Sequence, residues 1–127
     1  MLFNHVTVGT NDLEKAKRFY DATFTVVDAV RIETDLTDRI LYKKDNQMFA
    51  AIKPIDGNKA TYANGGTIGF SMSSVEQVNK WYQAGIENGG EAIEAPPGIR
   101  DGQGPKKYLA YLRDPDGNKL CAFYLVK

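Results

Sequence analysis

Apolar residues recur along this chain with two different periods, and the order of those periods repeats. The run His5-Val6-Thr7-Val8 alternates polar and apolar, as a half-buried strand does. Beyond it, Leu13, Ala16, Phe19 and Tyr20 are spaced to share one face of a helix, with Lys15, Lys17 and Arg18 facing outward. Laying residue 5 on residue 67 brings the same patterns back. Thr67-Ile68-Gly69-Phe70 is followed by Val75, Val78, Trp81 and Tyr82, with Gln77, Asn79 and Lys80 outward. Each stripe is preceded by a short polar residue with Glu three positions later, Asn11 with Glu14 and Ser73 with Glu76. That spacing predicts a capping box at each helix start.

The repeat extends past the helices. Candidate strands lie near 26–33, 39–44 and 47–53, and again near 91–95, 108–113 and 119–126. Lys44-Asp45-Asn46-Gln47 closes the first hairpin and Asp114-Pro115-Asp116-Gly117-Asn118 the second, where Pro and Gly supply turn geometry. Two stretches read as loops: 54–66, which contains the Gly65-Gly66 turn, and Pro96 to Lys107, too rich in Gly and Pro for regular structure. A loop as long as the second is often functional. The chain therefore reads as one α+β domain of two tandem βαβββ modules, 1–53 and 67–127, joined by 54–66.

Strand parity then sorts the faces. Val6, Val8, Ile68, Phe70 and Met72 must pack under the helices, as must Leu120, Ala122 and Tyr124. His5, Thr7, Met48, Ala50, Thr67, Gly69, Ser71, Cys121 and Phe123 point the other way. With each sheet curved and its helix outside, the two modules would enclose a cleft lined by these positions, with His5 equivalent to Thr67 and Met48 to Cys121. Tyr108, Tyr111, Arg100, Lys106 and Lys107 border the long loop, and Tyr108 is expected in the cleft. Arg100 and the two lysines could hold an anionic ligand group there, or be ordinary solvated cations.

Composition narrows the chemistry. Sixteen basic residues balance sixteen acidic ones, so no net charge favours nucleic acid or a membrane surface. No apolar run reaches the roughly 18 residues of a membrane span, and no leader pattern opens the chain. Cys121 is the only cysteine, so an intrachain disulfide is excluded and a cytoplasmic location is expected. His5 is the only histidine, whereas most catalytic Zn, Fe and Ni sites use two or three. His5 could act as a ligand contact or a general base, or be a hydrogen-bonded bystander. Cys121 could be a nucleophile, but its strand position favours a small buried hydrophobe.

Two segments carry a family resemblance. His5-Val6-Thr7-Val8 leading into Asp12-Leu13-Glu14-Lys15-Ala16-Lys17-Arg18-Phe19-Tyr20, and Tyr111-Leu112-Arg113-Asp114-Pro115-Asp116-Gly117-Asn118-Lys119-Leu120, resemble the vicinal oxygen chelate superfamily of glyoxalases, bleomycin-resistance proteins and extradiol dioxygenases. The chain is most similar to short bacterial glyoxalase-like (lactoylglutathione lyase-like) members. The resemblance implies the glyoxalase/bleomycin resistance fold, a homodimer, and one divalent metal held by a ligand from each of four strands. Those ligand positions fall on His5, Met48, Thr67 and Cys121, so only His5 is retained. A one-residue slip to Gln47, Phe49, Gly66, Ile68, Leu120 or Ala122 supplies no carboxylate or imidazole. Met, Thr and Cys do not make a hard site for Zn, Ni, Fe or Mn, although a soft His/Met/Cys set could hold Cu(I). No cofactor is therefore expected. The leading expectation is metal-free binding of a small organic molecule, with no nucleic-acid or membrane partner. The alternative is a glyoxalase I-type lyase or isomerase using Zn, Ni, Fe or Mn, with an oxygenase behind it. A third reading is an interaction module without a small ligand.

Overall fold

Both halves fold as strand, helix and further strands in a computed structural model that describes residues 2–100 and 102–127. The first comprises β1 (His5–Gly9), α1 (Leu13–Val26), β2 (Val30–Ile32), β3 (Arg39–Lys44) and β4 (Gln47–Ile52). The second comprises β5 (Ile68–Ser71), α2 (Val75–Glu87), β6 (Glu91–Ala92), β7 (Gly98–Arg100), β8 (Lys107–Arg113) and β9 (Lys119–Leu125). Each half makes one mixed sheet, ordered β1-β4-β3-β2 and β5-β9-β8-β6, with β7 also on β8. In each, the first strand runs parallel to the last and the rest pair antiparallel.

The departures from expectation have local causes. The capping residues sit one position later than the Asn11/Glu14 and Ser73/Glu76 spacing predicts. Asp12 accepts from the Lys15 amide and Ser74 from the Gln77 amide, and Gln77 reaches back to the Ser73 amide at 2.7 Å. Glu14 and Glu76 instead place negative charge in the first turn, where the helix dipole favours it. β2 begins only at Val30 because α1 runs to Val26 and Asp28 turns at φ 61°. β6 ends at Ala92 because Glu94 adopts φ 59°, which a strand cannot continue. The stretch from Pro96 to Lys107 is not wholly irregular. After Pro97, whose nitrogen has no proton to donate, Gly98–Arg100 adds to the edge of β8, pairing Gly98 with Leu109 and Arg100 with Lys107.

The helices do not lie outside the sheets. α1 packs on α2, and each also covers its own sheet, so both stripes and both inner sheet faces share one core. Ala16, Phe19, Tyr20, Val78 and Trp81 are essentially inaccessible, while Val75, at the start of the second stripe, is exposed. Phe24 and Phe49 of the first half meet Phe70 of the second with ring centroids 5.4 and 5.9 Å away. Such pairs add about 0.5–1.5 kcal/mol each beyond their burial.

A polar joint locks the halves. The β8–β9 turn places Gly117 at φ 92° and buries the Asp114 carboxylate. That carboxylate accepts from the Tyr20 hydroxyl at 2.5 Å, the Asn118 amide and side chain, and the Asp116 amide. Asn11, before α1, accepts from the Ala60 amide, and its own amide donates to Asp116. The loop joining the halves is thus packed down rather than free. No helix among the described residues is long and apolar enough to cross a membrane.

Two stability outcomes follow from this packing. A Cβ on Gly90 would sit 2.6 Å from Phe19 Cε1 and 2.8 Å from the Gly85 carbonyl oxygen. Gly90→Ala should therefore cost about 1–3 kcal/mol in urea denaturation, since neither neighbour can retreat. Burial, then Asp114, push the Tyr20 hydroxyl well above the ordinary tyrosine range; burial and the Asp21 hydrogen bond do the same for Tyr42. The folded state holds these protons more tightly than the unfolded chain, so their contribution is intact below about pH 10 and is lost as pH rises beyond it. Tyr20→Phe should lower stability at pH 7 by about 1–3 kcal/mol while flattening the alkaline loss. An unchanged alkaline slope in that variant would contradict this origin.

Candidate functional site

Because the helix-side faces share the core, the opposite face of each sheet is turned away from it. On the first sheet, the ladder sets His5 beside Met48 and Thr7 beside Ala50, with Lys43 and Leu41 next across. His5 is exposed, and its Nδ1 lies 2.8 Å from Asn4 Oδ1. Asn4 Oδ1 accepts, so Nδ1 is the donor of this bond. Thr7 is exposed, while Met48 and Ala50 are half-buried.

On the second sheet, Cys121 lies between Gly69 and Tyr111, and Phe123 between Ser71 and Leu109. Thr67 is exposed just before β5. A Cβ on Gly69 would meet nothing within 4 Å, so the surface is open there although Cys121 itself is only 6% exposed. Tyr108 is on the other side of its strand: it opposes Tyr124, and its hydroxyl donates to Asn79 of α2 at 2.8 Å. Arg100 stands on β7 with its guanidinium folded back onto the carbonyls of Ala95, Pro96 and Gly98.

Within one chain, then, His5, Thr7, Met48 and Ala50 are brought together, and so are Gly69, Cys121 and Phe123. The two groups are not brought to each other: no strand of one sheet comes within 8 Å, Cα to Cα, of a strand of the other. Two surface hollows of about 190 and 320 Å³ lie on the first half, beside Leu13, Leu36 and Arg39 and beside Asp21, Thr25 and Tyr42. None of the candidate residues lines either one.

Two polar residues near Cys121 escape the sequence reading. Lys119 forms an ion pair with Glu94 and lies 4.9 Å from the centre of the Tyr111 ring. Lys119 was recoverable in principle, being two residues before Cys121 on the same strand face. Glu94 was not, because its approach depends on the left-handed backbone at that residue. Burial, reinforced by Glu94, pushes the Cys121 thiol up, against the opposing pull of Tyr111, Lys119 and Arg100. The Tyr111 hydroxyl is raised chiefly by burial and by Cys121. Both groups are therefore protonated at neutral pH.

The donor set at the four positions that the family resemblance marks for metal ligands does not fit a hard divalent ion. It offers one imidazole, a thioether, an alcohol and a thiol that resists deprotonation, divided between two sheets. Among the described residues, no three of His, Cys, Asp or Glu are grouped so as to hold a metal ion.

Two βαβββ units, each with a mixed sheet and a helix in a common core, define the paired-module class of α+β domains. The chain belongs to the Glyoxalase/Bleomycin resistance protein/Dioxygenase superfamily, whose family model matches residues 2–122. It is 44% identical to a glyoxalase/bleomycin resistance protein from Albidiferax ferrireducens T118, with a TM-score of 0.90 over 99% of this chain and 100% of that one. Its fold is also shared by a glyoxalase-related enzyme from Fulvimarina pelagi (18% identity, TM-score 0.73, 98% of this chain and 88% of that one). A lactoylglutathione lyase from Agrobacterium tumefaciens is similar again (18%, 0.68, 96% and 92%). No curated protein matches the sequence.

The state of the thiol is directly measurable. Cys121 should react with a disulfide reagent at pH 7.5 at least about tenfold more slowly than a free peptide thiol, because so little thiolate is present. A rate equal to the peptide's would mean an activated cysteine.

Proposed function

We propose that this protein binds a small organic molecule without a metal, in a cleft that is completed by a second copy of the chain. The reading is carried by the residues at the four positions that the family resemblance marks for metal ligands, three of which are Met48, Thr67 and Cys121. Met48, Ala50 and Phe123 supply apolar contact, and Thr7, Thr67 and His5 supply a few directional polar groups. That balance suits capture of a small molecule.

The need for a second copy is supported by the edges. β1 and β5 each end their sheet with an unpaired side. Leu2 and Phe3, beside β1, are 87% and 61% exposed. Unpaired strand edges next to exposed apolar side chains favour association. Setting β1 of one protomer beside β5 of its partner would bring the His5 row to the Cys121 row, which a single chain leaves apart.

Three measurements test the reading together. Light scattering should give a dimer at micromolar concentration; a monomer would remove the composite cleft. Elemental analysis of the purified protein should give no stoichiometric Ni, Zn, Fe or Mn, and one ion per chain would overturn metal-free binding. A thermal-shift screen of hydrophobic antibiotics and glutathione conjugates should find a stabilising ligand whose affinity falls about two- to tenfold in His5→Ala. Hemithioacetal turnover abolished by that substitution would establish the lyase or isomerase instead.

A further inference from the structure

We infer that Arg100, Lys119 and the Tyr111 hydroxyl form an oxyanion-recognition site on the open face of the second sheet, taking the carboxylate or phosphate of a small organic ligand. The inference rests on the small-molecule reading above and assigns that molecule its chemical class.

Arg100 is oriented before any ligand arrives. Its Nη2 donates to the carbonyls of Ala95 and Pro96 at 2.9 and 3.1 Å, and its Nη1 to that of Gly98 at 3.2 Å. Carbonyl oxygens hold the planar fork in place without cancelling its charge. Among the described residues, no carboxylate lies within ion-pair distance of Arg100, whereas Arg31 has two and Arg39, Lys80 and Lys119 have one each. A pre-oriented guanidinium with donors to spare is the group best suited to a carboxylate or phosphate.

The second cation is held in the same neighbourhood. Lys119 is fixed between Glu94 and the Tyr111 ring, with its side chain 26% exposed. Glu94 adopts φ 59°, a left-handed conformation that a non-glycine residue keeps only where its surroundings demand it. Two cations and one carboxylate leave an excess positive charge on a protein whose net charge is zero. Lys107, paired across the ladder with Arg100, adds to that excess at the rim.

The surroundings strengthen the attraction and leave room for the anion. The Arg100 guanidinium reaches the Ala95 carbonyl, one residue from Glu94, and the Glu94 carboxylate pairs with Lys119 over the Tyr111 ring, so the two cations flank one stretch of the open face. Leu109 and Cys121 form a buried apolar floor, where charge is weakly screened. The proton retained by Tyr111 makes its hydroxyl a donor. Beside Cys121, the place of the missing Gly69 side chain is open.

Benzoate, phenyl phosphate and the neutral isostere benzamide are the probes, read by amide shifts of the intact protein. Benzoate or phenyl phosphate should bind about tenfold more tightly than benzamide and shift Gly69 and Cys121, and whichever binds better identifies the oxyanion. Arg100→Gln should weaken the anion about tenfold and leave benzamide unchanged, with circular dichroism confirming the fold. If that variant does not fold, Lys119→Gln should show the same selective loss. Equal binding of benzoate and benzamide at these residues would overturn the oxyanion site while leaving the small-molecule reading intact. Anion binding unaffected by both substitutions, or no probe shifting this face, would also overturn it.

Discussion

Neither helix in this protein can bury its apolar stripe against its own short sheet alone. α1 and α2 therefore pack on each other, and Phe24, Phe49 and Phe70 join the two halves into one aromatic core. Everything functional depends on that sharing. Once the inner sheet faces are committed to the core, the outer faces must turn away from it, carrying His5 on one sheet and Cys121 on the other. The Asp114 joint fixes the arrangement with directional bonds. Four donors converge on a buried carboxylate, one of them from α1 of the opposite half. Donors of this kind offset much of the cost of burying a charge and penalise any sliding of one half past the other.

The two open faces have diverged in chemistry although the repeat makes them equivalent. The first carries a lone imidazole beside Asn4, a threonine, Lys43, and the apolar Met48, Ala50 and Leu41. The second carries Arg100 braced by three carbonyls, and Lys119 braced by Glu94 over the Tyr111 ring. The Cys121 thiol is buried within this face, and burial pushes it above the ordinary thiol range.

Much of the fold is legible in the sequence because local periodicity and tertiary burial agree. Leu13, Ala16, Phe19 and Tyr20 announce a helix face and three of them are buried in the core. Asp114 to Asn118 announces a tight turn and forms one. The errors fall where neighbours outweigh local pattern. Gly98–Arg100 becomes a strand only because β8 offers an unpaired edge, and β6 stops early only because Glu94 turns left-handed. Tyr108 departs from its expected face because its parity places it with Ala110 and Leu112, under α2, where Asn79 accepts its hydroxyl.

The sequence by itself determined the duplication, the two strand–helix units and, Tyr108 apart, most of the residues on each open face. These follow from spacing and side-chain chemistry, which are properties of short stretches of chain. The tertiary structure alone decided that the helices pack on each other in the core, that the His5 and Cys121 rows stand apart within a chain, and that Glu94 pairs with Lys119 over the Tyr111 ring while Arg100 folds back onto the neighbouring Ala95 carbonyl. Those relations depend on how two amphipathic helices bury their stripes and on where single backbone turns send a loop. Neither is recorded in the periodicity of the residues concerned.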